Sequence, residues 1–314
     1  MTVLYLDTDV GIDDALALAF LLAADTAPAG IGTVFGNVGV DQATTNCLDL
    51  LALAGRDDIP VAAGVGAPAG QGNDGRVHGS NGLGGVELPR SGRRPVDGSA
   101  AELLIGLAHR YPGELSVVAL GPLSNLAVAL RLEPRLPELV RDVTIMGGAA
   151  LVPGNRSPVA EANILDDPAA AAAVIAAPWP ITLVPLDVTL DHTLTEPDRQ
   201  ALLAAGSPLP RALGAILEHY MDYYVGVYGR RACALHDPVA AAVAIGAAVP
   251  ALAPAVRVVV DDTDGPGRGQ TICDLRGLRA GRPDQPGAHV RVVLSLTAPF
   301  GPQLVTRLVG GATG

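Results

Sequence analysis

Four carboxylates fall within eight residues at Asp7-Thr8-Asp9-Val10-Gly11-Ile12-Asp13-Asp14. An apolar run, Val3–Leu6, leads into them, and an alanine- and leucine-rich stretch, Asp13–Ala24, follows. The acids therefore sit at a strand-to-helix turn. Helix capping would account for Asp13 or Asp14 alone, because the free amides and dipole of a first turn favour a carboxylate. It does not account for the whole set. Two carboxylates about 4 Å apart repel by about 4 kcal/mol at an effective dielectric near 20. Acids converging on one turn must take up protons or hold a cation. The candidate ligands are hard oxygens with no His or Cys among them, which favours Ca²⁺ or Mg²⁺ over zinc. Spacing excludes an EF-hand, since the fifth position from Asp7 is Gly11 and the twelfth is Leu18. Neither G-x-G-x-x-G nor G-x-x-x-x-G-K-[ST] follows the first strand, which disfavours a phosphate cradle there.

Two further segments carry chemistry. Leu235-His236-Asp237-Pro238 precedes an apolar helical stretch. Read alone, it is a cap ahead of a proline in the first turn. Gly154-Asn155 and Glu161-Ala162-Asn163 lie in a loop after a strand, and read alone are solvated loop. Tyr220, Tyr223, Tyr224 and Tyr228 crowd one helical stretch of a chain with only six tyrosines. Tyr224 and Tyr228 are four apart and share a face, as a core stripe or as a lid over a planar ligand. His109, His192, His219 and His289 take the ordinary surface or core reading. The Asp-x-Asp pair also resembles the haloacid dehalogenase-like phosphatases. Gly11 stands where that motif continues with Thr or Val, and its later lysine is impossible here because the chain has no Lys.

These residues need a scaffold. Short apolar runs at Gly30–Phe35, Leu115–Leu120, Asp142–Met146 and Ile181–Leu186 alternate with helical stretches at 41–54, Leu123–Leu130 and Pro168–Ala176. Runs that are apolar throughout suit strands covered on both faces. The alternation predicts an α/β fold, a mostly parallel open sheet flanked by helices in the Rossmann-like manner. The chain is read as helical from 195 to 250. Val256–Asp261, Thr271–Asp274 and Val290–Leu294 read as late strands of a small antiparallel extension. The Gly-rich segment 64–85 reads as a long functional loop, and no linker divides residues 1–314 into two domains. In such sheets ligands bind beyond the carboxyl ends of the strands, where Asp7, Asp9, Gly36-Asn37, Leu120-Gly121, Met146-Gly147-Gly148 and Asp187 fall.

Composition narrows the partners. Arginine supplies all 21 basic residues against 32 acids, giving a net charge of −11. A nucleic-acid partner is not expected, because polyanion binding needs a basic stripe. Three scattered cysteines are too few for a disulfide framework or a thiolate metal site. The amino-terminal residues have no cationic segment, and Ala15 to Ala24 is too short to span a bilayer. The reading is a cytoplasmic protein with no membrane partner.

Taken in order, the motifs resemble the inosine-uridine-preferring nucleoside hydrolase family across roughly residues 2–297. The resemblance rests on Asp7 to Ala15, Gly36-Asn37, Val77-His78-Gly79, Gly121-Pro122-Leu123-Ser124-Asn125, Met146-Gly147-Gly148, Asn155, Glu161-Ala162-Asn163 and His236-Asp237-Pro238. It implies hydrolysis of ribonucleosides to base and ribose by a homodimer or homotetramer. By that likeness, Asp9, Asp14, Asp237 and the Leu120 carbonyl would hold Ca²⁺. The ribose 2′- and 3′-hydroxyls and a water would complete the shell, and Asp9 would take the proton of that water as general base. Asp13 would bind a ribose hydroxyl beside Asn37. Asn155, Glu161 and Asn163 would grip the ribose, with Met146 against it. His236 would protonate the leaving base, His78 would line the pocket, and Tyr228 and then Tyr224 would face the base. The alternative is a non-catalytic nucleoside- or calcium-binding protein of the same fold. The chain departs from the family at Val10, where Pro is frequent, at Ala162, where an aromatic is frequent, and at Gly84, where Asp is common. The first exchange is expected to be harmless, and the second to open the ribose pocket slightly.

Overall fold

A computed structural model describes residues 3–68 and 75–310. Five strands follow the expected alternation and a sixth, β3, is unexpected: β1 (Val3–Thr8), β2 (Gly30–Thr33), β3 (Val61–Ala63), β4 (Leu115–Ala119), β5 (Val140–Met146) and β6 (Ile181–Val184). Helices α1 (Ile12–Ala23), α2 (Val40–Leu53), α3 (Ala100–Arg110), α4 (Ser124–Leu132), α5 (Leu136–Leu139), α6 (Ala162–Asp166) and α7 (Pro168–Ala176) connect them. After β6 come the single turn α8 (Leu186–Thr189), β7 (Thr193–Thr195), α9 (Glu196–Leu203), α10 (Pro208–Tyr228), β8 (Ala232–Ala234) and α11 (His236–Ala244). The chain ends through β9 (Pro250–Leu252), β10 (Ala255–Val256), β11 (Val258–Val260), β12 (Thr271–Cys273), α12 (Arg276–Arg279), β13 (Val290–Val292), β14 (Ser295–Leu296) and α13 (Gly301–Gly310).

The main sheet has eight strands in the order β10-β13-β6-β5-β4-β1-β2-β3. Every pairing in it is parallel except β10 with β13. Side chains alternate between its faces, as the strand period requires. Leu4, Leu6 and Val118 join a core with α1, α2, α10, α11 and α13. Tyr5, Val117 and Ala119 join a second core with α3, α4 and α7. Helix α1 is buried from Ile12 through Leu21, which suits a helix apolar all round and places the aspartates at its start inside the molecule.

The late region departs from the sequence reading. The stretch 195–250 is not continuously helical, because β7 and β8 pair antiparallel across it. Val256–Asp261 is not one strand. It divides at Arg257, where β10 stays in the main sheet and β11 leaves to pair with β12. Val290–Val292 joins the main sheet parallel to β6, so the antiparallel extension reduces to β10 and the small ribbons. The run Ile181–Leu186 ends at Val184, and Leu186 opens α8. Among the described residues, no helix is long and apolar enough to cross a membrane.

Candidate active site

Strand β1 delivers Asp7 and Asp9 to different places. Asp7 turns down into the second core, where it accepts from Tyr5 Oη at 3.0 Å and from Asn125 Nδ2 at 3.0 Å. Asn125 Nδ2 also donates to the Thr33 carbonyl at 3.0 Å, and its Oδ1 accepts from the Val65 amide at 2.8 Å. Asn125 thus ties the first turn of α4 to β1, β2 and the loop after β3. Burial holds the Asp7 carboxyl up at about 7.

Asp9 lies just past the strand end and accepts from the Asn37 amide at 2.6 Å and from Asn37 Nδ2 at 3.1 Å. The same Nδ2 donates to Asp14 Oδ2 at 3.0 Å, so Asn37 bridges the two carboxylates. Asp14 Oδ1 accepts from the Thr8 hydroxyl, and Oδ2 accepts from the Gly11 amide at 2.8 Å. Asp14 therefore caps α1 and serves the site at once. Asp13 Oδ2 accepts from Tyr220 Oη at 3.2 Å, whereas its buried Oδ1 has no hydrogen-bond partner. Asp237 comes from the first turn of α11, not from a capping position, because that helix begins at His236.

Asp13, Asp14 and Asp237 each present one oxygen within 4.8 Å of the others, and all three are buried. Three unscreened negative charges at such separations cost about 3–4 kcal/mol per pair at an effective dielectric of 20. Burial, together with mutual repulsion, holds Asp9, Asp14 and Asp237 above the ordinary carboxylate range. Burial brings Asp13 to about 6. An orphaned oxygen beside two further carboxylates is a donor set fitted to a hard cation. Asp9 stands next to this group through Asn37.

Gly11 makes the close approach possible. A Cβ there would lie 2.5 Å from Asn37 Nδ2 and 2.6 Å from His78 Nδ1. Gly11→Ala is therefore expected to displace Asn37 and His78 and to lower kcat by about 100-fold, the cost of an ångström-scale misplacement. The thermal midpoint should fall far less, and steady-state kinetics beside a thermal melt checks both. Val10 holds φ at 28°, which a β-branched residue rarely adopts and a proline ring cannot reach. Gly84 has φ 62°, and a Cβ would stand 2.9 Å from the Ile216 carbonyl of α10, so no side chain fits there.

His78 accepts from the Ile12 amide at Nδ1 (3.1 Å), with Asp13 Oδ1 at 3.8 Å. Burial brings it down to about 4, so the ring is neutral. His236 contacts Thr189 Oγ1 through Nδ1 at 2.7 Å and Tyr224 Oη through Nε2 at 2.6 Å. Burial brings this ring down to about 3. Tyr224 and Tyr228 stack with centroids 5.5 Å apart, and Tyr220 meets Tyr224 edge-on at 4.9 Å. Tyr224 is the one joined to His236. Tyr228 instead donates to the Leu190 carbonyl at 2.9 Å.

The residues expected on the ribose side have structural partners as well. Asn163 Nδ2 donates to the Leu120 carbonyl at 2.7 Å and to the Met146 carbonyl at 3.1 Å. Glu161 caps α6, its carboxylate accepting from the amides of Gly148, Asn163 and Ile164. Burial holds it at about 7. Asn155 is exposed and accepts from the Ala162 amide at 3.0 Å. The four other histidines hold surface or core contacts: His109 with Glu133, and His192, His219 and His289 with backbone atoms. Nothing in residue type or spacing singles out Thr189. Thr8 lies between two aspartates without a signal of its own, and Tyr220 stands out in the sequence only as one of a cluster.

The inosine-uridine preferring nucleoside hydrolase family profile matches residues 4–300. A probable uridine nucleosidase 2 of Arabidopsis thaliana is 39% identical over 87% of this chain and 83% of its own length. The solved structure of a plant nucleoside hydrolase has a TM-score of 0.89 at 32% identity, covering 100% of this chain and 99% of its own. That of a purine-preferring ribonucleoside hydrolase from Gardnerella vaginalis also has a TM-score of 0.89, at 31% identity, covering 98% of each chain. The chain belongs to the inosine-uridine preferring nucleoside hydrolase family. It is a hydrolase of ribonucleosides.

Proposed function

We propose that the chain releases ribose from ribonucleosides with a divalent cation, calcium by the chemistry of its donors, held by Asp9, Asp14, Asp237 and the Leu120 carbonyl. The observation that carries this reading is the buried convergence of Asp14 and Asp237, two of the four ligands, with Asp13 beside them, each presenting one oxygen within 4.8 Å of the others. Bound there, a cation's charge would acidify the attacking water and offset the repulsion among the carboxylates.

Asp9 is the general base, since Asn37 holds both of its oxygens at the rim of the carboxylate group. Asp13 takes a ribose hydroxyl with its free oxygen. Asn37, Asn155, Glu161, Asn163 and Met146 complete the ribose pocket. Glycoside cleavage passes through an oxocarbenium-like state, and the surrounding carboxylates favour the positive charge that develops on the sugar. His236 is neutral at rest and must take up a proton as substrate fills the site before it can pass one through the Tyr224 hydroxyl to the departing base, while His78, Tyr224 and Tyr228 flank the base. A homodimer or homotetramer, which the family resemblance implies, and a cytoplasmic location, which the amino-terminal residues and short apolar runs suggest, complete this reading.

The test is ribose release from inosine, uridine, cytidine and adenosine in calcium-containing buffer, read by reducing-sugar assay. At least one should be hydrolysed, and the panel ranks the bases. The matching 2′-deoxynucleoside should react about 100-fold more slowly or worse, because it lacks one oxygen of the clamped diol. No ribose from any substrate would favour a binding protein. Comparable rates for the deoxynucleoside would remove the diol contact.

A further inference from the structure

We infer that Thr189 is a positioning residue for departure of the base, acting through the ring of His236. This rests on the role proposed above for His236. Thr189 closes the single turn α8, and its side chain is fully buried, 47 residues from His236 in sequence. The fold brings them together by register. β7 pairs with β8 so that Thr193 lies opposite Ala234, and the Leu235 amide donates to the His192 carbonyl at 2.9 Å. His236 therefore emerges directly beside α8. That turn is itself held, because Asp187 accepts from the Ala150 and Leu151 amides at 2.8 and 2.7 Å. The next residue, Leu190, receives the Tyr228 hydroxyl.

The contact decides the orientation of the imidazole. Both ring nitrogens are engaged, Nδ1 by Thr189 and Nε2 by Tyr224. A half-turn of the ring would put carbons against both oxygens and lose two hydrogen bonds. A hydroxyl can donate or accept a hydrogen bond, so Thr189 supports the ring in either tautomer. Without it, one buried nitrogen is stranded, and nothing on that side keeps Nε2 on the Tyr224 hydroxyl. Outer partners of this kind set the aim of the group that does the chemistry.

Thr189→Val keeps shape and removes the hydroxyl. It should lower kcat on uridine and inosine about tenfold with KM little changed, and leave p-nitrophenyl riboside, whose leaving group needs no proton, within about twofold. Thr189→Ser should restore the nucleoside rate. Thr189→Ala should show the same split and serves if the valine variant does not fold, as judged by circular dichroism. Unchanged nucleoside rates, or equal losses on both substrate types that serine does not rescue, would overturn the proposal. His236→Ala in parallel separates the two ideas. If it splits the substrates and Thr189→Val does not, Thr189 alone is wrong. If neither splits them, both readings fall.

Discussion

Asp9→Ala should lower ribose release by about 10³-fold or more, the upper range of general-base catalysis, while the protein remains folded. The effect is large because the geometry offers no substitute. Asp14 is committed to Thr8 and the Gly11 amide, and Asp13 shares one oxygen with Tyr220. The fold should survive because two consequences oppose each other. The Asn37 amide loses its acceptor, at about 1–3 kcal/mol, but one charge leaves a crowded set of buried carboxylates. Single-turnover kinetics with circular dichroism checks both halves. Retained turnover would remove Asp9 as base.

The second large effect concerns the base side. His236→Ala should slow uridine and inosine by about 10²–10⁴-fold and p-nitrophenyl riboside only a few-fold. The imidazole bridges Thr189 and Tyr224, and alanine leaves the Tyr224 hydroxyl without its partner. Equal loss on both substrates would mean that His236 supports the neighbouring Asp237 rather than the leaving group. The contrast between leaving groups makes this informative, since damage to the carboxylate group would slow every substrate alike.

Much of this architecture could be read from local pattern. The β1 run followed by Asp9, Asp13 and Asp14 announced both the turn and its charge problem, and the parallel strands through Ile181 were visible as apolar runs. Local pattern failed where tertiary pairing overrode it. Ala232–Ala234 reads as helix by composition yet becomes a strand opposite Thr193–Thr195, and Val256–Asp261 is divided between two sheets. Three-residue β3 is too short for periodicity to register. In the site, the carboxylates and histidines were legible because their types are costly to bury. Their supports were not. Thr189 is an ordinary residue whose contact spans distant segments, Thr8 is an ordinary residue between two aspartates, and no spacing rule links Asn125, although part of a motif, to Asp7. Glu161 was legible as an acid in a loop, but its three backbone donors appear only once α6 is folded.

The most direct measurement is calorimetric titration of chelator-treated protein with calcium, paired with ribose release before and after. One ion per chain is expected, with a thermal stabilisation of about 2.7 kcal/mol at a hundredfold excess over Kd. Activity should be lost on chelation and regained on titration, and Asp14→Asn combined with Asp237→Asn should abolish both binding and rescue. Full ribose release in excess chelator, with no heat of calcium binding, would contradict the cation at the centre of this mechanism.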